Sequence, residues 1–279
     1  MTQKKTTPDP FRALIKLMER LRRPGGCPWD RKQTHQSIAR NLLEEAHETY
    51  EAIFDNDPTH LMEELGDLLL QVIFHSQIAE EKKQFTVDDV CRVIHEKLVR
   101  RHPHVFSDLK LNSATAVIKN WEKIKMQERK EKGSNQGVLD GIPNSLPALI
   151  KAYRLGEKAG RVGFDWINAK QVWIKVREEW TELNKELTKR RSPSPNPSHR
   201  GRGNTSRIEE ELGDLLFSLT QYARHTKIDP ERALVQASNK FRGRFQKMEA
   251  AARRKGQTIA SLSMAEKERA WNTAKRKSR

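Results

Sequence analysis

The sequence has few of the residues that β-sheets require. Aromatic residues make up only 6% of the 279 residues, and no Asn-Gly pair joins two alternating apolar runs, as a hairpin signal would. The apolar residues recur instead at helical spacing, as in the stripe of Phe11, Leu14, Ile15 and Met18. The sequence therefore predicts an all-α fold.

Cysteines and long apolar runs are also scarce. Cys27 and Cys91 are the two cysteines and lack CxxC spacing, a pattern typical of reduced, cytosolic proteins. No apolar run reaches the ~18 residues of a membrane span, and no apolar signal segment follows the polar first residues. We therefore expect a cytoplasmic protein without a membrane partner.

Several well-known catalytic motifs are missing. The sequence has no Walker A loop, no GxGxxG, no GxSxG and no Ser/His/Asp arrangement. The segment His102-Pro103-His104 lacks the paired Cys or His residues of a zinc site. These absences argue against P-loop enzymes, dinucleotide-binding domains, serine hydrolases and zinc modules.

Basic residues outnumber acidic ones. The chain has 53 Lys and Arg against 37 Asp and Glu, a net charge of +16 and a pI of about 9.9. Such a balance favours anionic partners, and both nucleotides and nucleic acids fit it. Much of the excess lies in the C-terminal tail and in 189–207 rather than in one patch, so we expect no specific nucleic-acid binding.

Closely spaced carboxylates are the most informative feature. Glu45 and Glu48 lie within one predicted helical turn, as do Glu64 and Asp67 on the next helix. Such like charges repel unless a cation lies between them, and Mg²⁺ prefers oxygen ligands of this kind. A lone EExxE is usually a solvated helix face. Asp67, however, lies in a run that is apolar on nearly all sides, which predicts a buried helix and a carboxylate that needs a partner.

The acidic pattern occurs a second time. An EExxE motif at 178–182 precedes an ExxD motif at 211–214, and the hexapeptide Glu-Leu-Gly-Asp-Leu-Leu is identical at 64–69 and 211–216. A solvated face has no reason to repeat together with its apolar flanks. The repeat therefore predicts two similar helical-bundle lobes, each with a metal site.

The repeat and the composition predict the boundaries of the lobes. We expect an N-terminal lobe at 1–132, a linker at 133–147 that is rich in Gly, Asn, Ser and Pro, and a C-terminal lobe at 148–279. The low-complexity segment 189–206 predicts a disordered insert in the second lobe. It lengthens the stretch between the two acidic motifs, and its arginines could block or recruit phosphate.

Cations and an aromatic residue follow the acids in each lobe. Alone, the cations are most simply an exposed helix face and each Trp a packing anchor. Their recurrence after the acids instead suits Mg²⁺, phosphates and a stacked base, in that order. The two sets are Lys97, Arg101, Trp121 and Lys125 in the first lobe, and Lys240, Arg244, Trp271 and Lys275 in the second.

These motifs resemble the MazG family of nucleoside triphosphate pyrophosphohydrolases, in which EExxE is followed by ExxD. The segments 27–30 (CPWD), 100–106 (RRHPHVF) and 162–166 (VGFDW) are also similar to two-lobed bacterial members. The resemblance implies an all-α homodimer that hydrolyses NTPs and dNTPs to the monophosphate and pyrophosphate. It implies Mg²⁺ as the cofactor, with Mn²⁺ as a substitute.

The resemblance also implies roles for individual residues, and by analogy it favours the second lobe for catalysis. The implied metal ligands are Glu179, Glu182, Glu211 and Asp214, with Glu45, Glu48, Glu64 and Asp67 as first-lobe counterparts. The implied nucleotide-binding residues are Lys175, Glu178, Arg207, Lys240, Arg244 and Trp271. Among these, Glu178 would orient or deprotonate the attacking water, and Lys240 and Arg244 would stabilise the pyrophosphate leaving group.

Two other functions stay open on the sequence alone. One is a single-substrate relative, such as a dUTP or phosphoribosyl-ATP pyrophosphohydrolase. The other is a non-catalytic helical protein that regulates or binds nucleic acid, with its acids as structural metal sites. The sequence sets neither the base and sugar preference nor the phosphorus atom attacked. Gly243, which stands where the first lobe has Arg100, could loosen the phosphate-binding helix.

Overall fold

Two compact units make up the chain in the computed structural model, which describes residues 9–131, 137–191 and 202–276. The first unit is Met1–Lys132 and the second is Gly133–Arg279. Within the described ranges every regular element is a helix, which confirms the predicted all-α fold. None of these helices is long and apolar enough to cross a membrane.

Helices α1 to α7 belong to the first unit. They are α1 (Pro10–Arg22), α2 (Pro28–Lys32), α3 (Ala39–Ala52), α4 (Pro58–Glu81), α5 (Val87–Arg101), α6 (Pro103–Phe106) and α7 (Ala114–Glu131).

Helices α8 to α12 belong to the second unit. They are α8 (Ala148–Arg161), α9 (Ala169–Arg191), α10 (Arg202–His225), α11 (Pro230–Arg253) and α12 (Met264–Arg276).

Short polar side chains fix where several helices begin. The carboxylates of Asp9 and Asp229 accept backbone hydrogen bonds in the first turns of α1 and α11. Thr86 and Asp89 form a reciprocal capping box at the start of α5. These side chains bind N–H groups that no helical carbonyl can reach. These capping bonds therefore fix the first residues of α1, α5 and α11.

Helix α4 is the centre of the first unit and packs against α1, α3 and α5. Its inner face contributes Ile73, Phe74 and Ile78 to a core that also contains Met18, Ile38 and Val87. Near the acidic residues, the hydroxyl of Thr49 on α3 donates to the backbone carbonyl of Glu64 on α4 at 3.1 Å. This bond helps to fix the register in which α3 and α4 present their carboxylates.

In the second unit the long helices α9 and α10 form the main pair, with α8 packed against α10. Val176, Leu183 and Leu215 form the apolar contact between α9 and α10. Helix α8 approaches α10 closely at Gly156, where an added Cβ would lie 1.7 Å from Oε1 of the fully buried Gln221. An added Cβ would therefore displace the buried Gln221 amide, which donates to the Ala152 carbonyl.

An ion-pair cluster joins the loop after α8 to the end of α10. The Asp165 carboxylate accepts hydrogen bonds from Nη1 of Arg224 at 2.8 Å and from Nε2 of His225 at 2.9 Å. Burial alone would raise the pKa of Asp165, but these hydrogen bonds outweigh it and lower the pKa to about 2. The first unit has a comparable ion pair between helices, in which Arg22 on α1 donates to both carboxylate oxygens of Glu81 on α4 at 2.8 Å.

The edges of the predicted insert are helical. Helix α9 continues to Arg191 and α10 begins at Arg202, so 189–191 and 202–206 belong to helices, although we expected disorder throughout 189–206. The packing of α9 against α10 extends each helix beyond the acidic motifs. The remainder of the insert, 192–201, lies outside the described residues, and its disorder stays a prediction.

Candidate metal and nucleotide site

In the first unit, carboxylates of the two facing helices α3 and α4 come together. Oxygen atoms of Glu45, Glu48 and Glu64 all lie within 4.8 Å of one another. Asp67 is not part of this triad, but its charge is close enough to affect Glu45. The pKa of Glu45 is raised first by burial and then by the charge of Asp67, followed by those of its other acidic neighbours.

The second unit builds an equivalent triad from α9 and α10. Oxygens of Glu179, Glu211 and Asp214 lie within 4.8 Å of one another. Burial and then the charge of Glu182 raise the pKa of Glu211, with further contributions from the other triad members. Glu182 is thus near the triad without belonging to it. Oxygen ligands held together against their mutual repulsion suit a hard divalent cation.

Lys175 belongs to the acidic cluster of the second unit. Its ammonium lies 2.8 Å from Glu178 and 2.7 Å from Glu179, one helical turn away on α9. The hydrogen bonds to Glu178 and Glu179 raise the pKa of Lys175. The side chain that the resemblance implies for nucleotide binding therefore neutralises the carboxylates in this structure.

Asp67 is exposed in the single chain, so the prediction of a buried carboxylate there is wrong. Helix α4 is apolar nearly all round, but within the described chain only one of its faces is covered. Leu65 is 50% exposed and Leu69 is 37% exposed. Their counterparts on α10, Leu212 and Leu216, are exposed at 45% and 48%.

The cations and the aromatic residue of the second unit lie on α11 and α12. The Arg244 guanidinium carbon lies 5.9 Å from the Trp271 ring centre, and the Phe241 ring lies 5.0 Å from the same indole. The Arg244 Nε is buried without a hydrogen-bond partner among the described residues. Lys240 is exposed one turn earlier on α11. Arg207 is also exposed, near the start of α10.

Two segments of the chain, 33–106 and 170–248, match the MazG nucleotide pyrophosphohydrolase domain. Each contains one complete EExxE–ExxD pair.

The chain belongs to the MazG family.

Full-length relatives agree with this assignment. The chain is 43% identical over 266 residues to the nucleoside triphosphate pyrophosphohydrolase/pyrophosphatase MazG of Thermotoga maritima, with 95% of each protein covered. It is 39% identical over 264 residues to the nucleoside triphosphate pyrophosphohydrolase of Escherichia coli K12, covering 94% of this chain and 96% of the relative. It is 44% identical over 265 residues to the uncharacterized protein YabN of Bacillus subtilis, of which it covers 51%.

The predicted family is thereby confirmed, and with it the enzyme class of nucleotide pyrophosphohydrolases. The roles of individual residues stay predictions, but their placement in the two MazG segments can be compared. Both segments bring three of the four implied metal ligands into one triad. The implied ligand that lies outside the triad is Asp67 in the first unit and Glu182 in the second.

The cations that follow the acidic motifs have different contacts in the two units. In the first unit, Arg101 donates to Oε2 of Glu128 at 2.6 Å and Arg100 to Oε1 of Glu128 at 2.8 Å. The His102 ring lies 5.1 Å from the Trp121 ring, edge to face. The first-unit arginines are therefore occupied, whereas Arg244 forms no ion pair with a described residue.

Sequence reasoning missed two residues that contact candidate site residues, one on an acidic residue and one on the arginines of α5. His60 places Nε2 3.3 Å from Glu64, one turn away on α4, and this contact could have been found from the four-residue spacing. Glu128 contacts α5 from the distant helix α7, so no local spacing predicts its partner.

Proposed function

We propose that the chain is a Mg²⁺-dependent pyrophosphohydrolase that converts NTPs and dNTPs to the monophosphate and pyrophosphate at the second unit. The observation that carries this proposal is the triad of Glu179, Glu211 and Asp214 beside Lys175. An all-oxygen donor set fits Mg²⁺, which is bound by one or two carboxylates together with substrate phosphates. Mn²⁺ would be expected to substitute because it accepts the same ligands.

The side chains of the second unit divide into three groups by chemistry. The triad, with Glu182 close by, would hold the metal. Bound Mg²⁺ would supply charge neutralisation on the triphosphate and a lower pKa for a coordinated water. Glu178 is exposed at the edge of the triad and would orient that water or accept its proton. Its contact with Lys175 keeps the carboxylate in place.

The cations of α11 would act on the other end of the substrate. Lys240 and Arg244 lie one turn apart and would bind the phosphates that leave as pyrophosphate. The flat face of Trp271, next to Arg244, would stack on the base. Arg207 supplies one more exposed cation on α10 near the acids.

Two contrasts support the second unit as the catalytic one. Arg244 forms no ion pair with a described residue, whereas its counterpart Arg101 is bound to Glu128. The second triad also has a cation built in, Lys175, where the first unit has Asn41. A partly neutralised triad costs less to keep assembled before the metal binds.

We also propose that the chain forms a homodimer. Leu65, Leu69 and Val72 on α4 are exposed at helical spacing, and so are their α10 counterparts Leu212, Leu216 and Leu219. Such contiguous apolar stripes on long helices mark surfaces for association. A second copy would cover them and would supply the burial of Asp67 that the single chain lacks.

Pyrophosphate release from the eight common NTPs and dNTPs tests this function. We expect turnover of several nucleotides in Mg²⁺ and none in excess chelator. Turnover of a single nucleotide such as dUTP would favour the single-substrate relative instead. Folded protein without turnover, but with salt-sensitive binding to RNA or DNA, would contradict the proposal and favour the non-catalytic alternative.

A further inference from the structure

The two arginines at the end of α5 share one carboxylate. Glu128, on α7, accepts from Nη2 of Arg101 at 2.6 Å and from Nε of Arg100 at 2.8 Å, so both of its oxygens are used. The Glu128 side chain is only 15% exposed. Hydrogen bonds from Arg101 lower the pKa of Glu128 to about 2, despite the opposing effect of burial.

An arginine pair around one anion is also the arrangement by which proteins bind phosphate. Guanidinium groups donate two parallel hydrogen bonds to carboxylates and to phosphates with similar geometry. Counted from Thr86 and Asp229, the N-cap residues of α5 and α11, Arg101 occupies the position equivalent to Arg244, and Lys97 the position equivalent to Lys240. The first unit therefore retains the parts of a phosphate site, with a carboxylate in the place of the phosphate.

Among the described residues of the second unit, no carboxylate pairs with Arg244. Glu128 follows Trp121 by seven residues, and the residue seven after Trp271 is Ser278. Arg244 makes no ion pair with any described residue, and its Nε is buried without a hydrogen-bond partner. The neighbours of the equivalent tryptophans also differ. The Trp121 ring lies 5.1 Å from His102, and its buried indole Nε1 has no hydrogen-bond partner among the described residues, whereas the Trp271 ring lies 5.0 Å from Phe241 and near Arg244.

From this contrast we propose that Glu128 is an internal carboxylate plug that closes a polyphosphate-binding site of the first unit. The ligand class is the triphosphate of a nucleotide or free pyrophosphate, whose charged oxygens would replace those of Glu128 on Arg100 and Arg101. The inference rests on the proposed function for the role of the cations of α11, but it concerns the other unit.

The plug explains how the first unit can keep its carboxylate triad and yet differ in activity. A phosphate must displace a charge-assisted, partly buried ion pair before it reaches the arginines. Removing the carboxylate charge while keeping the side-chain shape should therefore open the site.

The test is a binding titration on the full chain carrying Arg244→Ala, which weakens the second-unit site. Inorganic tripolyphosphate with Mg²⁺ is titrated by calorimetry, with and without Glu128→Gln. We expect Glu128→Gln to add one binding event per chain, at least about tenfold tighter than any seen in the Arg244→Ala chain. Further replacement of Arg101 by Ala should abolish this gain.

Glu131→Gln is the matched control, because Glu131 is exposed on the same helix and contacts Gln127 rather than an arginine. It removes the same charge and should add no binding. Circular dichroism monitors folding, and Glu128→Asp provides a second variant that shortens the carboxylate and should give a smaller gain. The proposal is overturned if neither folded variant gains affinity, or if Glu131→Gln gains as much.

Turnover separates this inference from the proposed function. Pyrophosphate release by the chain with an intact second unit reports the function, whereas tripolyphosphate binding in the Arg244→Ala chain reports the plug. An active enzyme without the gain contradicts the plug alone. If Glu128→Gln adds tripolyphosphate binding in the Arg244→Ala chain, but the chain with an intact second unit releases no pyrophosphate, the proposed function alone is contradicted.

Discussion

The ammonium of Lys175 lies 2.7 Å from Oε1 of Glu179, inside the carboxylate cluster of the second unit. The Glu179 side chain is only 8% exposed, so this charge has little access to water. A buried carboxylate that loses its partner destabilises the folded state. Lys175 therefore partly neutralises the triad before a metal binds.

This contact predicts the effect of Lys175→Gln. We expect the metal-free variant to lose about 2 kcal/mol of stability, because Glu179 is left with acidic neighbours. Mg²⁺ should then raise its melting temperature more than it raises that of the unaltered chain, since the cation relieves a larger repulsion. Calorimetry with and without Mg²⁺ measures both effects.

Lys170→Gln serves as the control, because Lys170 is an exposed cation on the same helix. It should leave the Mg²⁺-induced shift unchanged. An equal shift in the Lys175 variant, the Lys170 variant and the unaltered chain would contradict a role for Lys175 in the triad.

The packing of α8 against α10 predicts opposite effects for two glycine replacements. Gly156→Ala places a Cβ on Gln221, whose amide binds both the Ala152 carbonyl and Arg224, so we expect a loss of about 2–4 kcal/mol. Gly243→Ala, in the open interior of α11, should instead gain about 0.5–1 kcal/mol. Urea denaturation measures both, and a tolerated Gly156→Ala would show that α8 and α10 do not pack this closely.

The Asp165 cluster predicts a dependence of stability on pH. The folded pKa of about 2 is below the unfolded value of about 3.9. The contribution is therefore fully present above pH ~4 and is lost as the pH falls from about 4 to about 2. We expect Asp165→Asn to lower the free energy of unfolding by about 2 kcal/mol at pH 6. The difference between this variant and the unaltered chain should shrink below pH ~3.

Melting curves of the unaltered and Asp165→Asn chains from pH 6 to pH 2 show whether the stability difference shrinks as the pH falls. Glu249→Gln removes a carboxylate that lies 4.0 Å from an exposed Arg253, and should change stability by less than about 0.5 kcal/mol. A constant difference between the Asp165 variant and the unaltered chain from pH 6 to pH 2 would exclude the assigned ion pair.

The exposed stripes predict the oligomeric state. Leu216→Glu introduces a charge into the α10 stripe and should shift a dimer toward monomer in sedimentation experiments. Ile167→Glu is the control, because Ile167 is 85% exposed in a loop outside the stripe. A chain that is monomeric before any substitution would contradict the proposed dimer.

Local spacing was sufficient to predict the helices that carry the acidic motifs and the pairing of those motifs. Glu45 meets Glu64, and Glu179 meets Glu211, because each EExxE and ExxD pair lies on consecutive helices that can pack together. The contact of Lys175 with Glu179 could also have been found from its spacing of four residues.

Two features could not be predicted from local patterns. The apolar surroundings of Asp67 indicated burial, but an all-round apolar helix does not say whether its own chain or a second copy covers it. The contact between Arg101 and Glu128 joins helices far apart in sequence, so it depends on tertiary packing rather than on the period of either helix.

The most direct test of the account compares Asp214→Asn with Asp67→Asn, which make the same change at equivalent positions of the two units. Asp214→Asn removes a metal-ligand charge from the proposed catalytic unit, and we expect kcat/KM to fall on the order of a thousandfold while circular dichroism stays unchanged. Asp67→Asn should retain a sizeable fraction of turnover. Loss of activity in Asp67→Asn with activity kept in Asp214→Asn would reverse the assignment, and half or more of the activity in both would show that each unit turns over independently.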